Sequence, residues 1–115
     1  MSTHKYLHDN RNDQILIYVN GEILPRDKAK ISVFDSGFLL GDGVWEGIRF
    51  HNKHLVFIQE HLDRLFHGAS SLDIDIGISK DRIKSLIISV LDANRMITDV
   101  HIRLIVSRGL KKTPY

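Results

Sequence analysis

A chain of 115 residues, 43% hydrophobic and 26% charged, supports one compact domain able to bury a little over ~60% of its unfolded surface. Its sixteen basic residues are interspersed with fourteen acidic ones and only Lys111 and Lys112 are adjacent, so the net charge of +2 forms no basic stripe and nucleic-acid binding is not expected. No apolar run reaches the length of a membrane span, the first residues lack the apolar segment of a secretory leader, and the absence of cysteine excludes disulfides and thiolate metal sites; we expect a cytoplasmic protein without a membrane partner.

Residues 1–14 are polar and without periodicity, and read as a flexible arm ahead of a single domain over 15–115. Ile15-Leu16-Ile17-Tyr18-Val19 is rich in β-formers and meets Asn20-Gly21, the dipeptide suited to a tight turn with positive φ at both positions. Glu22-Ile23-Leu24 then returns as a second strand that Pro25 ends. Ile31 to Phe34 reads as a short alternating stretch, followed by a loop over Asp35-Ser36-Gly37-Phe38. The segment from Leu39 to Phe50 places a glycine-bearing turn before an alternating strand that extends to His51. Asn52-Lys53 turns the chain back through His54 to Ile58.

From Gln59 the period changes. Leu62, Leu65, Phe66, Ala69 and Leu72 form the apolar stripe of one helix, and Ile83, Leu86, Ile87, Val90 and Leu91 that of another. Ser79 is the N-cap of the second helix, Asp81 favours its dipole, and Asn94 is expected to close it in the left-handed conformation. After Asp99 the period returns to two: Val100, Ile102, Leu104 and Val106 line one side of a strand, His101, Arg103, Ile105 and Ser107 the other. The fold class is therefore α+β, a mainly antiparallel sheet with two helices packed on one side.

On the strand from Gly43 to His51, Val44, Glu46, Ile48 and Phe50 share one face, and Trp45, Gly47, Arg49 and His51 the other. The second face mixes a large aromatic, a residue without a side chain and two polar groups. It reads either as a half-buried hairpin strand with glycine at a bulge, or as a wall where a flat ligand comes close. The seven histidines show no recognised metal-ligand spacing, so no metal site is expected.

The ordered segments Tyr18-Val19-Asn20-Gly21, Gly41-Asp42-Gly43-Val44-Trp45-Glu46-Gly47-Ile48-Arg49, His61-Leu62-Asp63-Arg64-Leu65 and Val106-Ser107-Arg108-Gly109 resemble the small domain of the fold-type IV pyridoxal-phosphate enzymes. That class holds the branched-chain and D-amino-acid aminotransferases and the aminodeoxychorismate lyases. The resemblance implies pyridoxal 5′-phosphate as cofactor, transfer of an amino group between an amino acid and a 2-oxo acid, and a homodimer. It implies that Arg64 contacts the cofactor phosphate, for which a planar guanidinium of permanent charge is suited. The residue-level alternative is a solvent-facing arginine paired with Asp63 or Glu60. Trp45 stands where relatives carry tyrosine or phenylalanine beside the substrate, and offers only an indole N–H; it reads equally as a core aromatic. Arg103, two residues after His101, matches an arginine that could bind a substrate carboxylate, or makes a cross-strand ion pair. Gly47 completes the expected substrate side, and Arg108-Gly109 a structural strand end.

The lysines are Lys5, Lys28, Lys30, Lys53, Lys80, Lys84, Lys111 and Lys112, none at the position where the family holds its cofactor lysine. The resemblance thus implies a chain with no catalytic residue of its own, inactive without a larger cofactor-lysine domain. A lyase of the same fold and a non-catalytic binding or assembly module are the alternatives.

Overall fold

In the computed structural model, which describes residues 7–112, a 3-10 turn (Asn10–Asn12) precedes β1 (Leu16–Val19), β2 (Glu22–Pro25), α1 (Ser36–Leu40), β3 (Gly43–His51), β4 (His54–Leu55), α2 (Ile58–Ser71), α3 (Lys80–Ala93) and β5 (Val100–Ser107). β1 and β2 form an antiparallel hairpin of their own, and β4, β3 and β5 form a second antiparallel sheet in that order. The α+β class matches the expectation, with a short third helix and a division into two sheets that the periodicity did not reveal. Among the described residues no helix is long and apolar enough to cross a membrane.

β3 and β5 pair from Gly43 with Ser107 to Phe50 with Val100, which gives all their side chains one choice of facing. Ile48 is fully buried and Phe50 and Glu46 nearly so, while Trp45 is 57% exposed. The buried face meets Leu62 and Leu65 of α2, Ile83, Ile87 and Leu91 of α3, and Met96. Each fully buried aliphatic side chain contributes about 1.5–3 kcal/mol, so this cluster is the main hold of sheet on helices. The helix stripe ends earlier than its spacing suggested: Leu72 is 42% exposed, and Ile74 is buried in its place.

Both turns flanking strands have positive φ at two positions, Asn20 and Gly21 in one, Asn52 and Lys53 in the other. After the second turn the returning strand is only His54–Leu55. Phe57 is left-handed and starts α2, so the extended reading to Ile58 is corrected. Ile31 to Phe34 forms no strand, and the expected loop from Asp35 is α1: the Asp35 side chain accepts from the Gly37 N–H, and Gly41, at φ 68, closes the helix. These are ordinary cap signals, masked by the apolar run Phe38-Leu39-Leu40.

Asn94 is right-handed, contrary to expectation; the left-handed residue is Arg95. The Met96 N–H bonds to Leu91 O and the Arg95 N–H to Asp92 O, a Schellman closure in which buried Met96 packs beyond buried Leu91. α2 ends the same way, with left-handed Asp73, the Ile74 N–H on Ala69 O, and Ile74 and Ala69 buried. Asn94 instead links α3 to the hairpin: its Oδ1 accepts from the Leu16 N–H and its Nδ2 donates to Leu16 O.

The arm expected over residues 1–14 lies outside the described residues up to residue 6. Within the described part, Asp9 caps the 3-10 turn and the Arg11 guanidinium donates to the carbonyls of Thr98 and Asp99.

Candidate functional site

The buried face of β3 carries one carboxylate among apolar groups. Glu46 is 5% exposed, beside Ile48 and Phe50, and a charge taken from water needs partners. α2 supplies them. Arg64 Nη2 donates to Oε1 at 2.6 Å and Nε donates to Oε2 at 2.9 Å, a two-point contact of fork on carboxylate. His61 Nδ1 lies 2.7 Å from Oε1; because an ionised carboxylate only accepts, the imidazole proton is on Nδ1. The hydrogen bonds from Arg64, followed by that from His61, hold the Glu46 carboxyl below the ordinary carboxylate range against the opposing effect of burial.

Arg64 is therefore not paired with Asp63 or Glu60 in its own helix. Asp63 is taken by Lys80 and Gln59. The Arg64 side chain is 70% exposed, and among the described residues its Nη1 has no hydrogen-bond partner. One edge of the guanidinium is fixed and the other is open to solvent.

Trp45, Gly47 and Arg103 lie together on the opposite face of the sheet. Gly47 pairs with Arg103 in the strand register and Trp45 with Ile105, so Arg103 is the diagonal neighbour of Trp45. Because Gly47 leaves no side chain between them, the Arg103 guanidinium lies over the indole, 4.1 Å from the ring centre. Trp45 is thus exposed rather than core, and among the described residues Arg103 has a ring rather than a carboxylate as its partner. The His101 imidazole covers Gly47: a Cβ built there would stand 2.9 Å from its Cε1.

The four expected site residues consequently fall into two groups, Arg64 on the helix side of β3 and the other three on its open face. What joins the two is the strand itself, on which Trp45 and Glu46 are consecutive. Spacing alone missed Glu46, His61 and His101. The signal for Glu46 was present: a lone acid on an otherwise apolar strand face implies a cation across from it.

The ends of β3 and β5 are tied together. Arg108 Nε donates to Asp42 Oδ2 at 2.6 Å while its Nη2 donates to Leu72 O at 2.6 Å, so one side chain joins the turn before β3, the end of β5 and the last carbonyls of α2. Ser107 Oγ donates to Asp35 Oδ2 and Ser36 Oγ to Gly109 O, which seats α1 on the same corner. The structural role expected of Arg108-Gly109 is visible in these bonds. Lys28, Lys30, Lys53, Lys84 and Lys112 are exposed, Lys80 is engaged by Asp63, and Lys5 lies outside the described residues.

The chain is similar to known proteins in sequence and fold. A branched-chain-amino-acid aminotransferase-like protein of Arabidopsis thaliana is 44% identical over 102 residues, covering 89% of this chain and 18% of that protein. A putative branched-chain-amino-acid aminotransferase of Methanocaldococcus jannaschii is 44% identical over 94 residues, covering 82% of this chain and 32% of that protein. The solved branched-chain amino acid aminotransferase of Escherichia coli superposes with a TM-score of 0.76 at 27% identity, over 84% of this chain and 34% of that one. This chain spans about a third or less of the length of the relatives it matches. The sequence model of the amino-transferase class IV family matches residues 43–114, from the first residue of β3 past the end of β5. That match takes in Trp45, Glu46, Gly47, Arg64 and Arg103 and more than half of the chain, and the chain belongs to the class IV aminotransferase family.

Proposed function

We propose that this chain is the small domain of a pyridoxal-phosphate-dependent aminotransferase that moves an amino group between a branched-chain or D-amino acid and a 2-oxo acid. The observation that carries the reading is Arg64, whose guanidinium is clamped on one edge by buried Glu46 and presents the other to solvent. A cation so held fits the phosphate of the cofactor, because its charge is permanent and its free donors point one way. The cofactor, when bound, supplies the electron sink for amino transfer. The chain's own residues would anchor its phosphate through Arg64. On the open face, Trp45 would form an apolar wall for the substrate, Gly47 a close approach, and Arg103 a positive group for a carboxylate. The lysine that holds the cofactor would come from a further domain, and the working form would be a cytoplasmic homodimer.

The test is Arg64→Ala in the protein that carries this chain together with its cofactor-lysine domain. Loss of one charge-assisted contact predicts cofactor affinity roughly ten to a hundredfold weaker in spectral titration. The melting temperature should fall as well, because buried Glu46 loses its chief partner, so the affinity is read well below the melt. An affinity within about a factor of two of the unmodified protein overturns the assignment.

A further inference from the structure

Resting on that reading, we infer that Glu46, backed by His61, is a positioning residue: it fixes the plane of the Arg64 guanidinium so that its free edge is set for a phosphate before one arrives. On the face that carries Ile48 and Phe50, an apolar side chain would pack without desolvating a charge, and buried ion pairs are in general a weak source of stability. Arg64, 70% exposed, would be well solvated without a partner. What the arrangement gives is orientation. Two donors of the fork meet two carboxylate oxygens, at 2.6 and 2.9 Å, and this removes the torsional freedom that a long exposed arginine otherwise keeps. The His61 Nδ1–H at 2.7 Å from Oε1 in turn stops the carboxylate from rotating. A pre-oriented donor binds more tightly because less freedom is lost on contact.

The test follows the Arg64 Nε–Hε signal by NMR in the isotopically labelled protein that carries this chain together with its cofactor-lysine domain, freed of cofactor, during titration with pyridoxine 5′-phosphate. This probe has the ring and the phosphate but no aldehyde to react with lysines; pyridoxine is the control. In the unmodified protein the Nε–Hε group should be as ordered as the backbone and should shift with the phosphate ester but not with pyridoxine. Glu46→Gln should mobilise that group and weaken the phosphate ester roughly fivefold or more, with His61→Gln acting in the same direction and less. A Glu46→Gln protein that binds as the unmodified protein does overturns the positioning role while leaving Arg64 as the phosphate ligand. If Arg64→Ala itself binds unchanged, the phosphate site fails and the inference with it. Should Glu46→Gln fail to fold, the unmodified protein decides: a mobile Arg64 Nε–Hε overturns the role, and an ordered one, with weaker binding in His61→Gln, supports it.

Discussion

The guanidinium of Arg103 lies 4.1 Å from the ring centre of Trp45 across a strand pair in which the intervening position, Gly47, has no side chain. Trp45 is the single tryptophan of the chain, so indole emission comes from this site. Arg103→Ala should raise the accessibility of Trp45 to acrylamide and cost about 0.5–1 kcal/mol of stability, the range of an exposed cation–π pair. Unchanged quenching in the variant would mean that the stacked geometry is not the one populated in solution.

Ile48→Ala and Gly47→Val should behave in opposite ways, although the residues are adjacent. Ile48 is fully buried between sheet and helices, and its truncation should cost about 2–5 kcal/mol in chemical unfolding. A valine at position 47 meets the end of the His101 side chain and the edge of the Trp45 ring, both exposed side chains that can shift, so its stability loss should be smaller even though it disturbs the Arg103–Trp45 stack. On the proposed function, the same valine should also obstruct ligand binding on the open face in the protein that carries this chain together with a cofactor-lysine domain. A Gly47→Val protein that unfolds while Ile48→Ala stays native would invert the facing of β3.

The Glu46 carboxyl titrates below its ordinary value of 4.5, chiefly because Arg64 hydrogen-bonds the charged form. A carboxylate with a depressed folded-state pKa contributes stability that is fully present above the unfolded value and is lost as pH falls through the folded one. Unfolding midpoints of the unmodified protein and Glu46→Gln should therefore differ most at neutral pH and converge below the ordinary carboxylate range. A difference that is independent of pH would show that Glu46 is not ionised in the native state.

Incubation of the 115-residue chain with pyridoxal 5′-phosphate followed by borohydride should give no stoichiometric adduct at a single lysine. Five of the lysines are exposed, and Lys80 is held by Asp63, so none of these six has the desolvated setting that lowers an amine pKa for imine formation. Peptide mapping by mass spectrometry distinguishes scattered labelling from one specific site.

Where the sequence read well, one period governed many residues at once. Alternation over Gly43 to His51 fixed the facing of β3, and spacing at three and four found the stripes of α2 and α3, because each pattern is set by the burial of a whole face. The helix ends were read less well. Asn94 was expected to be left-handed on residue preference, but its amide is engaged by both polar groups of the Leu16 backbone, and the left-handed position passes to Arg95. The sequence offers Arg64 two acidic neighbours in its own helix, Asp63 and Glu60, but its partner stands on a strand earlier in the chain, a pairing that only tertiary packing creates. The site itself divided across the sheet for a related reason: a motif gives residues in order, whereas consecutive strand positions point to opposite faces.

β3 and β5 are neighbours in space, but the chain between them contains β4 and both long helices. Their pairing therefore closes a long loop, a cost in chain entropy that local helix formation does not bear. The kinetic consequence is an order of assembly in which α2 and α3 form first, and the sheet zips once they have gathered the intervening chain. The Arg103–Trp45 stack, which spans that late seam, is then a probe of the final step: its fluorescence change should lag the helical circular dichroism signal during refolding.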